Sequence, residues 1–222
     1  LVDQGLSDIY SQEYLNEPID AGDRTFKWDW LQQEFIEDDL KFKALNRYIM
    51  IDVADSKKDG ADFTAVVVID WDSENNWFIQ YAKRYKVNSP EKIDLILELW
   101  QNWKPNKIGV EKKSFEDEIK PWLKIKSTET GVFPVVEELE SGGKNKEARI
   151  SGALQGRFEA GKIWFKKDAL DDQRLLRSEL YDFPRSKNDD LSDALAYGEQ
   201  IGYRPMGKSK AQMTQTEKDF YE

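Results

Sequence analysis

Three strand-like runs follow one another with little between them, and this limits the available folds more than any other feature of the chain. Residues 48–54 read Tyr48-Ile49-Met50-Ile51-Asp52-Val53-Ala54, a short and largely apolar stretch suited to a buried central strand. Residues 63–70 are rich in β-branched side chains, and residues 77–85 read as a third strand. The links, 55–60 and 72–76, are polar and turn-like. A parallel crossover needs about a dozen or more connecting residues, so links this short imply an antiparallel three-strand meander.

Helices and strands alternate beyond the meander. Ser89-Pro90-Glu91 is a helix start, with Ser89 placed to cap and Pro at the first helical position. Ile93, Ile96, Leu97, Trp100 and Trp103 recur at helical spacing and predict a core-facing stripe. Residues 107–111 predict a fourth strand. A helix over about 114–124 follows, with Pro121 shortening or bending it. Residues 132–139 predict a strand whose Pro134 points to an edge or an irregular start. A helix over 146–160 ends at Gly161, residues 163–165 form a short strand, and helices cover 169–181 and 190–201. Residues 29–40 read as a short helix. The implied domain is α/β, a mixed sheet of antiparallel meander plus parallel strands, flanked by helices. Its expected extent is 47–203, with a lead-in segment over 1–46 that packs on it and a polar, flexible tail over 204–222. The chain opens at Leu1 rather than Met, as an excised or processed piece does.

Cysteine and histidine are both missing from the 222 residues. That excludes thiol nucleophiles, disulfides, Cys/His zinc sites, Ser-His-Asp triads and histidine bases. Any catalysis must run on carboxylates, lysines, tyrosines, hydroxyls or a bound cofactor. No Gly-x-x-x-x-Gly-Lys-Ser/Thr loop is present, so no P-loop ATPase module is expected. No apolar run approaches membrane-spanning length and no signal-peptide pattern occurs. The net charge of −10 opposes non-specific nucleic-acid binding. Residues 141–167 run the other way, with seven basic residues against two acidic ones. This stretch is either a solvated helix face or a local phosphate-binding patch.

The acids carry the chemistry. Asp52 is a charge set among Ile49, Ile51 and Val53, and burying an unpaired carboxylate is costly. Glu111 repeats the pattern at the end of Ile108-Gly109-Val110. If the fourth strand lies parallel to the first, the two acids emerge side by side. Asn188-Asp189-Asp190-Leu191-Ser192-Asp193 opens the final helix, where Asp190 and Asp193 share a face. Asp62 at the start of the second strand is an outer candidate. Singly, each acid reads as a solvated loop residue or a helix cap. As an ordered set they suit a pair of hard divalent cations bound through oxygen, which activate water and stabilise the leaving oxygen of a phosphodiester.

Several motifs together resemble the nuclease domain of tailed-phage terminase large subunits. They are Ile49-Met50-Ile51-Asp52, Asp62-Phe63-Thr64-Ala65, Gly109-Val110-Glu111, Lys146-Glu147-Ala148-Arg149-Ile150 and Asp189-Asp190-Leu191-Ser192-Asp193-Ala194-Leu195. Gln12-Glu13-Tyr14-Leu15 followed by Phe26 resembles the segment that joins the family's ATPase domain to its nuclease. The likeness spans roughly residues 9–203. It implies an RNase H-like fold and a metal-dependent endonuclease that cuts concatemeric double-stranded DNA, with little sequence specificity, in the host cytoplasm during phage assembly. It implies Mg²⁺ or Mn²⁺, two ions, held by Asp52, Glu111 and the Asp190 region. The resemblance leaves open which of Asp189, Asp190 and Asp193 ligates directly; Asp190 is favoured, Asp193 comes second, and Asp189 can cap the helix. Lys144, Lys146 and Arg149 would contact the DNA backbone. The implied partners are a portal protein, a small terminase subunit and the ATPase domain of the same polypeptide. Two departures from the family pattern stand out: the second acid is Glu111, where members vary between Asp and Glu, and Asn188 stands where His often precedes the last motif.

Two other readings share these residues. A Holliday-junction resolvase or transposase-like enzyme would use the same acids on a branched substrate. A docking module for a partner such as the portal would use the acidic surface or the tail, with weak cutting only.

Overall fold

The computed structural model describes residues 24–53, 63–140, 145–169 and 172–206. A seven-stranded mixed sheet forms its centre. The strands are β1 (Glu34–Phe35), β2 (Leu45–Asp52), β3 (Thr64–Asp72), β4 (Trp77–Tyr85), β5 (Lys107–Glu111), β6 (Val136–Leu139) and β7 (Ile163–Lys166). They lie in the order β1-β7-β4-β3-β2-β5-β6. β2, β3 and β4 form the expected antiparallel meander, and β5 runs parallel to β2. β6 and β7 join parallel at either side. This is an RNase H-like mixed sheet.

The helices are α1 (Ser89–Trp103), α2 (Lys112–Ser114), α3 (Lys120–Thr130), α4 (Lys146–Glu159), α5 (Asp172–Tyr181), α6 (Asp190–Ala196) and α7 (Gly198–Ile201). β3 explains why its sequence lacks polar alternation, because all nine of its residues are buried and both sheet faces are covered. On one face Ile49, Ile51, Val66, Val68, Ile108 and Val110 pack against Ile93, Ile96 and Leu97 of α1. On the other, Met50, Ala65, Val67 and Ile69 meet Leu154 of α4, Leu176 and Leu180 of α5, and Leu191, Ala194 and Leu195 of α6. Asp52 follows Met50 by two positions and so faces this second side.

Several local expectations are corrected. The helix expected over 29–40 is instead two 3₁₀ turns, Trp28–Gln32 and Glu37–Leu40, around the short strand β1, which pairs with β7. Phe26, Leu31 and Phe35 bury fully or nearly so, and this packing overrides weak helical periodicity. Asn88, not Ser89, caps α1: its side chain accepts from the Glu91 amide and the Glu91 carboxylate accepts from its own amide, a reciprocal box. Pro121 does not shorten a helix but stands in the first turn of α3, after a π-helical turn over Phe115–Ile119. The last helix is two pieces that meet at Tyr197. Gly198 is needed at that joint, since a Cβ there would stand 2.7 Å from the fully buried Trp77 ring. The 55–60 link and most of the lead-in and tail expectations lie outside the described residues. Among the described residues, no helix is long and apolar enough to cross a membrane.

Candidate active site

Register brings the acids together. Ile51 pairs with Val110 across the parallel β2–β5 ladder, so Asp52 and Glu111, one step further on, end neighbouring strands on the same face. On its other side Asp52 pairs with Ala65 of β3, and Ala65 pairs with Arg84 of β4. Glu111, Asp52, Ala65 and Arg84 thus form one row across four strands. Ala65 is the small member, and α6 packs over β3. Its first residue, Asp190, is thereby carried over the row.

Asp52 is the electrostatic centre. Burial disfavours its charge, as do the Asp193, Asp190 and Glu111 charges, while Lys146 opposes them; the carboxyl is pushed up to about 8. Asp193 is buried, and the Arg149 guanidinium grips it. Nη2 donates to both carboxylate oxygens at 2.6 and 2.7 Å, and Nε donates to Oδ1 at 3.1 Å. Arg149 also lies over the Tyr197 ring, 4.9 Å from its centroid. Burial and the Asp193 charge push the Tyr197 hydroxyl upward. The Lys146 ammonium donates to Asp189 at 2.7 Å and lies 3.3 Å from Asp193. Burial alone would lower its pKa; the Asp189 bond and the surrounding acids outweigh that and raise it.

Asp189 does not cap with its side chain, contrary to the expectation. It is the residue before α6, but its carboxylate is turned to Lys146. The cap comes from another helix. Glu179 of α5, buried, accepts from the Ser192 amide at 2.9 Å and the Ser192 hydroxyl at 3.1 Å. One of the amides orphaned at the start of α6 is satisfied this way. Glu179 also accepts from Arg84 Nη2. Arg84 and Glu179 carry no local sequence signal; they matter only because β4, α5 and α6 meet.

Asp52, Glu111, Asp190, Asp193, Asp189, Lys146 and Arg149 therefore gather at one end of the sheet. Asp62 and Lys144 lie outside the described residues. Lys146 and Arg149, expected on a DNA backbone, contact carboxylates of the cluster. In the arrangement seen, no group of three or more acids among the described residues is poised to hold a metal ion. The donor chemistry still suits one, because the set is carboxylate only, without sulfur or imidazole, as hard divalent cations prefer. The mutual repulsion at Asp52 is what a cation would relieve.

No protein-family model matches the chain. No curated protein matches it either. Solved structures do share its fold. The human cytomegalovirus terminase nuclease domain superposes with a TM-score of 0.55 at 13% identity, covering 76% of this chain and 90% of that one. The nuclease domain of the large terminase subunit of bacterial virus Sf6 gives 0.54 at 16% identity, covering 78% and 96%. The large terminase nuclease of thermophilic phage G20c gives 0.52 at 14% identity, covering 77% and 87%. Among such domains, the G20c nuclease has been solved with bound zinc, a variant of the Sf6 domain with calcium, and the cytomegalovirus domain after a manganese soak.

Proposed function

We propose that the chain is the nuclease domain of a viral terminase large subunit, a divalent-metal-dependent endonuclease acting on double-stranded DNA. The row formed by Glu111 and Asp52 on adjacent parallel strands, overlain by Asp190, carries this reading. The shared fold with viral terminase nucleases, three of them solved with metals, supports it.

Asp52, Glu111 and Asp190 would hold Mg²⁺ or Mn²⁺, two ions in the full site. When bound, such ions supply an activated water and a charge sink for the leaving oxygen of the phosphodiester. The protein's own groups do the rest. β2 and β5 fix Asp52 and Glu111 through a shared ladder, so these two need little reorganisation. The pairing with Arg149 fixes the Asp193 carboxylate beside Asp52, where its charge raises the Asp52 carboxyl and Lys146 opposes it. The Lys146 head, about a third exposed, presents positive charge beside the acids where a phosphate would approach. Nothing in this site reads base edges, so cutting would be largely independent of sequence. Within this reading the partners are DNA, a portal protein, a small terminase subunit and an ATPase domain of the same polypeptide, met in the host cytoplasm during assembly.

The test is nicking of supercoiled plasmid with Mg²⁺ or Mn²⁺. Cutting should vanish with EDTA and fall by about two orders of magnitude or more in Asp52→Asn. Undiminished cutting by Asp52→Asn overturns the assignment.

A further inference from the structure

Arg84 ends the row Glu111–Asp52–Ala65–Arg84, on the side away from Glu111. Its side chain is 13% exposed. Nη2 is taken by Glu179. Nε is buried and makes no hydrogen bond among the described residues, yet it stands 3.9 Å from Asp190 Oδ2. Glu179, in turn, holds the Ser192 amide and hydroxyl in the first turn of α6. One buried carboxylate therefore fixes two things: the fork of Arg84 and the helix turn that carries Asp190.

A buried Arg–Glu pair is a poor way to stabilise a fold. Desolvation takes back much of the Coulomb attraction, and apolar replacements often do as well. An orphaned buried N–H adds to the cost, because an unmade hydrogen bond forfeits the solvation of its donor. The arrangement makes better sense as a steering device. The planar guanidinium carries several donors on one rigid frame: Nη2 is held by Glu179, which fixes the neighbouring Nε 3.9 Å from Asp190. Lysine, a point charge on a flexible stem, cannot serve both.

We propose that Arg84 is a positioning residue of the candidate site: clasped by Glu179, it orients the Asp190 carboxylate toward Asp52 and Glu111. The inference rests on the metal-dependent nuclease reading and deepens it. Arg84 touches no reacting atom. It acts through Asp190, as outer hydrogen-bond partners orient metal-binding side chains elsewhere.

The experiment compares the whole protein with Arg84→Lys, Arg84→Gln and Asp52→Asn. Mn²⁺ binding is measured by calorimetry without DNA, plasmid nicking by steady-state kinetics, and melting temperature in EDTA. The expected result is Mn²⁺ affinity weakened about tenfold in both Arg84 variants, and kcat lowered by about tenfold or more, with KM for DNA within about twofold of wild type. A risen KM with unchanged kcat would make Arg84 a phosphate contact and overturn the proposal. Wild-type Mn²⁺ binding and turnover in both variants would overturn it too, as would loss of folding in both, which assigns Arg84 to the fold alone. Asp52→Asn separates the two levels. If Asp52→Asn loses Mn²⁺ while the Arg84 variants keep it, only the positioning role fails. If Asp52→Asn binds Mn²⁺ like wild type, the metal-site reading fails and takes the positioning role with it.

Discussion

Arg149 holds both carboxylate oxygens of Asp193 from a single guanidinium nitrogen, at 2.6 and 2.7 Å, across 44 residues of sequence. The pair lies beside Asp52: among the neighbouring charges, that of Asp193 weighs most against the Asp52 carboxylate, ahead of Asp190 and Glu111, and Arg149 fixes where that charge sits.

Their burial makes Asp193 and Arg149 first of all a stability pair. Removing Arg149 takes three hydrogen bonds from the buried Asp193 and leaves the Lys146 ammonium, 3.3 Å away, as its counter-charge. Arg149→Met should lower unfolding free energy by about 3–5 kcal/mol. Urea denaturation at pH 7 in EDTA measures it. A loss below about 1 kcal/mol would show that Asp193 finds another partner.

Asp52 should cost the metal-free protein stability. Its folded-state carboxyl titrates near 8, well above the ordinary value of 3.8. The folded state therefore holds a proton that the unfolded chain has released, so this group's contribution falls as pH rises from about 4 to about 8. The groups facing it are Asp193, Asp190, Glu111 and Lys146. Asp52→Asn should flatten this slope and be more stable than wild type at pH 8 by roughly 1–3 kcal/mol in EDTA. Chemical denaturation across the pH range reads the difference. A less stable Asp52→Asn at pH 8 would contradict it.

Lys146 eases that burden, being the cation that lowers the Asp52 carboxyl. Lys146→Met should move the Asp52 titration to higher pH. The acid limb of the nicking rate should shift upward with it, since a protonated Asp52 cannot serve as a cation ligand. The pH dependence of kcat for Lys146→Met against wild type is the check. An unmoved limb removes Lys146 from the site's electrostatics.

Gly198 permits the tight joint between α6 and α7. A methyl group there would meet the Trp77 ring, 2.7 Å away and fully buried. Gly198→Ala should destabilise the protein by about 1–3 kcal/mol through overpacking. Thermal unfolding reads the cost, and a melting point equal to wild type would show that the ring yields freely.

The parts of this fold that could be read from sequence are those set by local pattern. β4, β5 and α1 fall where their apolar spacing places them, and the short links do force the β2–β3–β4 meander. The adjacency of Asp52 and Glu111 follows from strand order once β5 lies parallel to β2. The parts that could not be read depend on distant partners. β1 forms because β7 offers an edge and Phe35 is buried, not because residues 34–35 favour extended structure. Adjacency points to Asp189 for the α6 cap, but Glu179 supplies it from α5. Arg149 and Lys146 read as phosphate contacts from charge alone, yet both face the acids that the fold delivers to them. Arg84 had no motif to flag it, and its significance emerges only from cross-strand register.

The most direct test of the account is diffraction from a crystal soaked in Mn²⁺, recorded for its anomalous signal. The expected result is a manganese peak ligated by Asp52 with Glu111 or Asp190, lost in Asp52→Asn. A peak held elsewhere, or retained in Asp52→Asn, would contradict it.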